Sequence, residues 1–160
     1  MKNSNTQKSV TVQVLRLALA IVAVLAIHIA SAQQVITSSY VEYTHVSPKL
    51  GYSVGYQFGD TQIEVGAFQQ NSMTNPSTET GAPSDYEQKF TGVYMNYPML
   101  QGNALSLTFK IRTGVSNGEN FVITPAVNGD YKLYKKVQIT GGLGVRAFRP
   151  TLVSGIKIII

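Results

Sequence analysis

The sequence predicts an all-β fold, eight antiparallel strands closed into an up-and-down barrel, on three observations. After Gln33 no 3.6-residue apolar period appears; apolar residues recur at every second position instead. The alternating segments are about ten residues long and are separated by turn-forming residues, a length suited to a tilted spanning strand. The face opposite the apolar one is made of Gly, Ser, Thr and Gln with few charges, unlike the water-facing side of a soluble sheet.

Size and composition agree. At 160 residues and 17.4 kDa the chain is one domain, and with 44% hydrophobic and only 13% charged residues it resembles neither a disordered tail nor an ordinary cytosolic domain. The absence of cysteine removes disulfides, thiolate metal sites and thiol nucleophiles. The net charge of +5 does not point to nucleic acid. Lys2, Lys8 and Arg16 fall before residue 33, where no acid occurs, and the remainder carries 10 basic against 8 acidic residues.

Residues 1–32 read as a cleavable signal peptide. A basic n-region ends at Arg16, Leu17 to Ala30 form a 14-residue apolar stretch, and Ala30-Ser31-Ala32 supplies the small residues a signal peptidase needs, so cleavage is expected after Ala32. At 1.5 Å per residue, such a helix covers about 21 Å of a hydrocarbon core near 30 Å, too little for a membrane anchor.

Residues 33–160 then form the barrel domain. Strands are expected near 35–45, 49–58, 61–71, 89–99, 104–114, 120–133, 137–148 and 150–160. In the second, Leu50, Tyr52, Val54, Tyr56 and Phe58 alternate with Gly51, Ser53, Gly55 and Gln57; in the third, Ile63, Val65 and Ala67 alternate with Glu64, Gly66 and Phe68. In the fifth, Leu105, Leu107, Phe109 and Ile111 oppose Ser106, Thr108, Lys110 and Arg112. The sixth is read straight through Asn128-Gly129-Asp130. That tripeptide has hairpin chemistry, but the two-residue phase is unbroken from Phe121 to Leu133. In the seventh, Val137, Ile139, Leu143 and Val145 oppose Gln138, Thr140, Gly142, Gly144 and Arg146. Gly59-Asp60, Leu100 to Asn103 and Tyr134 to Lys136 make tight turns at one end, whereas Asn71 to Gln88 makes a long connection at the other.

Alternation alone does not say which face is inside. A soluble lipocalin-like barrel turns its aliphatic residues inward and a membrane barrel turns them outward. Lys110 and Arg112 share a face with Gly51, Gly55, Gly66, Gly92, Gly142, Gly144 and Gly155, and lipid exposure of such cations costs about 2–4 kcal/mol at the midplane, so this face is expected inside. Tyr56, Phe58, Tyr97 and Tyr131 are the last outward residues of descending strands and are expected to form an interfacial girdle on the tight-turn, periplasmic side. The inward phase carries Glu42, Glu64 and Asp130 against Lys110, Arg112, Lys132, Arg146 and Lys157. Buried charges persist when paired, so an ion-pair network plugging the lumen is expected, with Glu64 on Lys110 or Arg112 and Glu42 on Arg146.

The chain resembles the small eight-stranded outer-membrane barrels of Gram-negative bacteria, the OmpA/OmpX-like type. The resemblance rests on Ala30-Ser31-Ala32, on Leu50-Gly51-Tyr52-Ser53-Val54-Gly55-Tyr56 and on Ile156, Ile158 and Ile160 in alternation. It implies residence in the bacterial outer membrane among lipid and lipopolysaccharide. It departs in its last residue, Ile160, where that family usually ends in an aromatic read by the assembly machinery.

The leading functional expectation is a structural or partner-binding barrel without a cofactor. It would act through the 71–88 connection, where Glu79, Asp85, Tyr86 and Glu87 precede any basic residue. A subunit of a larger secretion, motility or conjugation assembly is the alternative. An ion channel is disfavoured because eight strands leave an interior that side chains fill. A lipid A deacylase would need serine, histidine and an acid together; His45-Val46-Ser47 near Glu42 is the one such spacing, and His45 falls on the outward phase.

Overall fold

The computed structural model describes residues 32–59, 61–74 and 89–160. The expected signal peptide and Glu79, Asp85, Tyr86 and Glu87 lie outside the described residues. Eight strands follow one another: β1 (Ala32–Tyr43), β2 (Pro48–Phe58), β3 (Ile63–Ser72), β4 (Lys89–Gln101), β5 (Leu105–Ser116), β6 (Asn120–Tyr134), β7 (Val137–Arg146) and β8 (Arg149–Ile159). They pair in sequence order, and β1 closes antiparallel on β8 from Ile36 opposite Ile159 to Tyr43 opposite Leu152. Closure removes both sheet edges, which would otherwise present unpaired N–H and C=O groups.

β6 runs unbroken through Asn128-Gly129-Asp130. Each of these residues is paired on both sides, Asn128 with Thr108 and Gly142, Gly129 with Leu107 and Gly141, Asp130 with Ser106 and Thr140. Two ladder neighbours outweigh the local turn propensity. True turns join β2 to β3 and fall at 102–104 and 135–136 at one end, and at 44–47, 117–119 and 147–148 at the other, where β3 also connects to β4. The β7–β8 turn places two non-glycine residues in the left-handed region, Ala147 at φ 48° and Phe148 at φ 62°; the twist of adjacent strands favours this primed geometry.

The glycines of the inward face make room for inward tyrosines. A Cβ on Gly51 or Gly155 would strike Tyr40, and one on Gly55 or Gly66 would strike Tyr94. Gly92 and Gly114 face one another across β4 and β5, where a Cβ on Gly92 would lie 2.5 Å from Gly114 Cα. Backbone cannot step aside as a side chain can. Gly92→Ala is therefore expected to cost about 2 kcal/mol or more, an overpacking penalty. Gly141→Ala, on the outward face with nothing within 4 Å of the added carbon, should stay within about 0.5 kcal/mol of wild type. Urea midpoints of the folded barrel in lipid vesicles check both.

Candidate functional site

The barrel is inverted relative to a water-soluble protein. Outward positions carry exposed large apolar side chains along every strand from β2 to β8, among them Val54, Val65, Val93, Val127, Leu143 and Ile156. The inward face holds buried Glu42, Glu64, Arg112, Asp130, Arg146 and Lys157. Period two makes this separation at the level of sequence, because one strand cannot put neighbouring residues on the same face.

Inside, the charged groups form two layers. Toward the end with the long connection, Glu42 is fully enclosed at 0% exposure and bridges two guanidinium groups. Arg112 Nη2 donates to Glu42 Oε1 at 2.7 Å and Arg146 Nη1 to Glu42 Oε2 at 3.0 Å. Gln70 closes the ring, its Nε2 donating to Glu42 Oε2 at 2.7 Å while its Oε1 accepts from Arg146 at 3.0 Å. Beneath Arg146 lie Phe90, with its ring centroid 4.4 Å from the guanidinium carbon, and Phe68, edge-to-face with Phe90 at 4.7 Å. Phe68, Phe90 and Tyr94 form one buried cluster inside the lumen, with Val122 against it.

Toward the tight-turn end, Lys157 Nζ lies 3.0 Å from Asp130 Oδ2 and 3.4 Å from Glu64 Oε2. Tyr94 donates its hydroxyl to Glu64 Oε1, Asn96 Nδ2 donates to Glu64 Oε2 at 2.9 Å, and Thr140 donates to Asp130. Lys110 stands between the layers, its ammonium 4.3 Å from the Tyr94 ring centroid and 5.5 Å from that of Tyr40.

The expected lumen residues are thus distributed as follows. Glu42 and Arg146 meet as the sequence reading placed them, but Arg112 pairs with Glu42 and not with Glu64. Glu64 takes Lys157 instead of Lys110 or Arg112, because the Tyr94 hydroxyl occupies one of its oxygens while the Tyr94 ring face takes Lys110. Lys132 is a correction. It is exposed at the tight-turn rim, where β6 slips register between Lys132 and Tyr134, and it lines an open mouth of about 300 Å³ rather than the packed interior.

The sequence reading assigned no role to Tyr40, Lys49, Gln70, Phe90, Tyr94 or Asn96, all buried. Their phase was available, since Phe90, Tyr94 and Asn96 share the face of Gly92, and Tyr40 shares that of Glu42.

On the outer wall Tyr56, Tyr97 and Tyr131 are exposed at the tight-turn end, with Phe58 half-buried beside them. A second aromatic set, absent from the sequence reading, stands at the opposite end: Tyr43, Phe121 and the fully exposed Phe148.

The H-x-S segment assembles no triad here. His45 is exposed in the 44–47 turn, Ser47 is buried with its hydroxyl 3.1 Å from that of Ser72, and Glu42 is held by the two arginines. Among the described residues no three His, Asp or Glu side chains stand together as a metal site.

No protein-family model matches the chain, and no curated protein matches it. Solved structures do. A structure described as "De novo design of transmembrane beta-barrels" superposes with a TM-score of 0.64 at 11% identity, over 81% of this chain and 97% of that one. The solution structure of the de novo designed TMB2.3 gives 0.63 at 11% identity, over 81% and 96%. At that identity the likeness is one of fold: the chain is a closed eight-stranded antiparallel β-barrel whose structural neighbours are transmembrane barrels.

Proposed function

We propose that this chain is an exported outer-membrane β-barrel with a plugged lumen, serving a structural or partner-binding role through the long connection between β3 and β4. The single observation that carries the membrane reading is the inversion of polarity. Val127, in mid-β6, is exposed on the outside while its neighbour Asn128 is buried inside, and the same alternation runs through β2, β3, β4, β7 and β8. In water such a surface would leave an apolar band uncovered; in a bilayer it meets acyl chains. The aromatic residues at both ends of the wall support the same placement, since interfacial girdles flank an apolar band about 25 Å tall.

The interior supports a plug. Glu42, Arg112, Arg146 and Gln70 span the lumen above, and Glu64, Lys157 and Asp130 below, so side chains fill the path between the two mouths. The engagement of Glu42 by arginines also speaks against a hydrolytic His45–Ser47 site.

The 1–32 segment supplies the export signal, removed after Ala32, and the tight-turn end faces the periplasm. The acidic connection with Glu79, Asp85, Tyr86 and Glu87 then faces outward, where a rigid barrel displays it to a partner. Deleting residues 74–86 is expected to leave the heat-dependent gel mobility of the folded barrel intact while abolishing adhesion or partner capture by cells. An unchanged phenotype sinks the partner role. Amino-terminal sequencing of membrane-extracted protein should begin at Gln33.

A further inference from the structure

We infer that the barrel interior holds one small monovalent anion, of the size of chloride, beside Lys110. Between the two charged layers lies a cavity of about 20 Å³, room for one monatomic ion or a water molecule. Lys110, Arg112 and Lys157 all line it, and none of the three interior carboxylates does.

The charges around it do not balance. Arg112 is answered by Glu42 at 2.7 Å, and Lys157 by Asp130 at 3.0 Å and Glu64 at 3.4 Å. Lys110 is different. Its ammonium rests on the faces of Tyr94 and Tyr40, and among the described residues no carboxylate comes within 4.0 Å of it. Ring faces attract a cation but carry no net charge, and Glu64 acts on Lys110 only from beyond ion-pair distance, so the charge of this half-buried ammonium is incompletely neutralised and a small anion beside it is favoured.

Two asparagines, Asn96 and Asn128, line the same cavity, each with an Oδ1 that has no hydrogen-bond partner among the described residues. Asn96 is fixed by its donation to Glu64, whereas the Asn128 amide presents its NH2 to an anion when it is turned about its last bond. Three cations and an amide around a site of this size favour a small anion, chloride or bromide, over sulfate or gluconate.

The site lies in the barrel itself and stands whether or not the β3–β4 connection has a partner. The test uses the mature barrel folded in detergent at constant ionic strength, with chloride exchanged for gluconate. Its melting temperature should rise with chloride, little below the dissociation constant and then in proportion to the logarithm of the concentration, by roughly 4 °C once chloride is several-fold above that constant. Lys110→Met should remove the chloride dependence, and Lys132→Met, at the exposed rim, should retain it. Equal melting in the two salts, or a chloride effect that survives Lys110→Met, overturns the site. Should Lys110→Met fail to fold, wild-type crystals grown in bromide decide: an anomalous peak in contact with Lys110 Nζ supports the site, and a cavity holding water alone refutes it.

Discussion

Glu42→Gln should lower the unfolding free energy of the barrel by about 3–5 kcal/mol, the range for removing one partner of a buried ion pair. Glu42 is fully enclosed, and two guanidinium groups depend on it at 2.7 and 3.0 Å. Glutamine keeps the shape and can still pair with Gln70, but it leaves the charges of Arg112 and Arg146 facing each other without their shared anion. The loss should therefore come from charge and not from a cavity. Glu42→Gln combined with Arg112→Leu should recover part of it, because replacing a buried pair by apolar groups is often close to neutral. Urea titrations in lipid vesicles, read by the midpoint at constant slope, check both variants. A Glu42→Gln loss below about 1 kcal/mol would show that the interior is wet enough to solvate the arginines.

Val127→Arg should have the second largest effect, about 2–4 kcal/mol of destabilisation in lipid, against about 0–1 kcal/mol for Tyr134→Arg. The two positions share β6 and the outward face. They differ in depth: Val127 is mid-strand, flanked by Phe109 and Leu143 on the neighbouring strands, whereas Tyr134 ends β6 at the tight-turn rim. An arginine at the rim reaches headgroups; one in mid-strand must be held in hydrocarbon. Equal, small costs at both positions would mean that the wall does not sit in a bilayer.

The fold was largely legible because strand period and face are local properties. Each strand lies within a few residues of its expected range, and β6 was read correctly through Asn128-Gly129-Asp130 because an unbroken phase over 13 residues outweighed one turn-like tripeptide. The same phase placed Lys110 and Arg112 with the glycines. What the sequence could not supply was height and reach. Glu64 and Lys110 both flank Asn96 in the ladder. They are nonetheless not paired, since Tyr94 lies between them and Lys157 comes from β8 across the lumen. Such contacts depend on strand stagger around a closed barrel, which no single alternating segment encodes. Lys132 misled for a related reason: it is in phase, but beyond the level at which side chains close the interior.

The chain has no cysteine, so single cysteines can be introduced one at a time along β6 without background. Nitroxide labels at positions 122 to 131, in the barrel reconstituted in lipid vesicles, report contact with oxygen dissolved in the acyl region and with a water-soluble nickel chelate. Labels at 123, 125, 127 and 129 are expected to be readily reached by oxygen and poorly by nickel, with low accessibility to both at 124, 126, 128 and 130. Outward positions quenched by nickel as strongly as Tyr131 at the rim, or a pattern without a two-residue period, would contradict a lipid-facing wall around a packed polar interior.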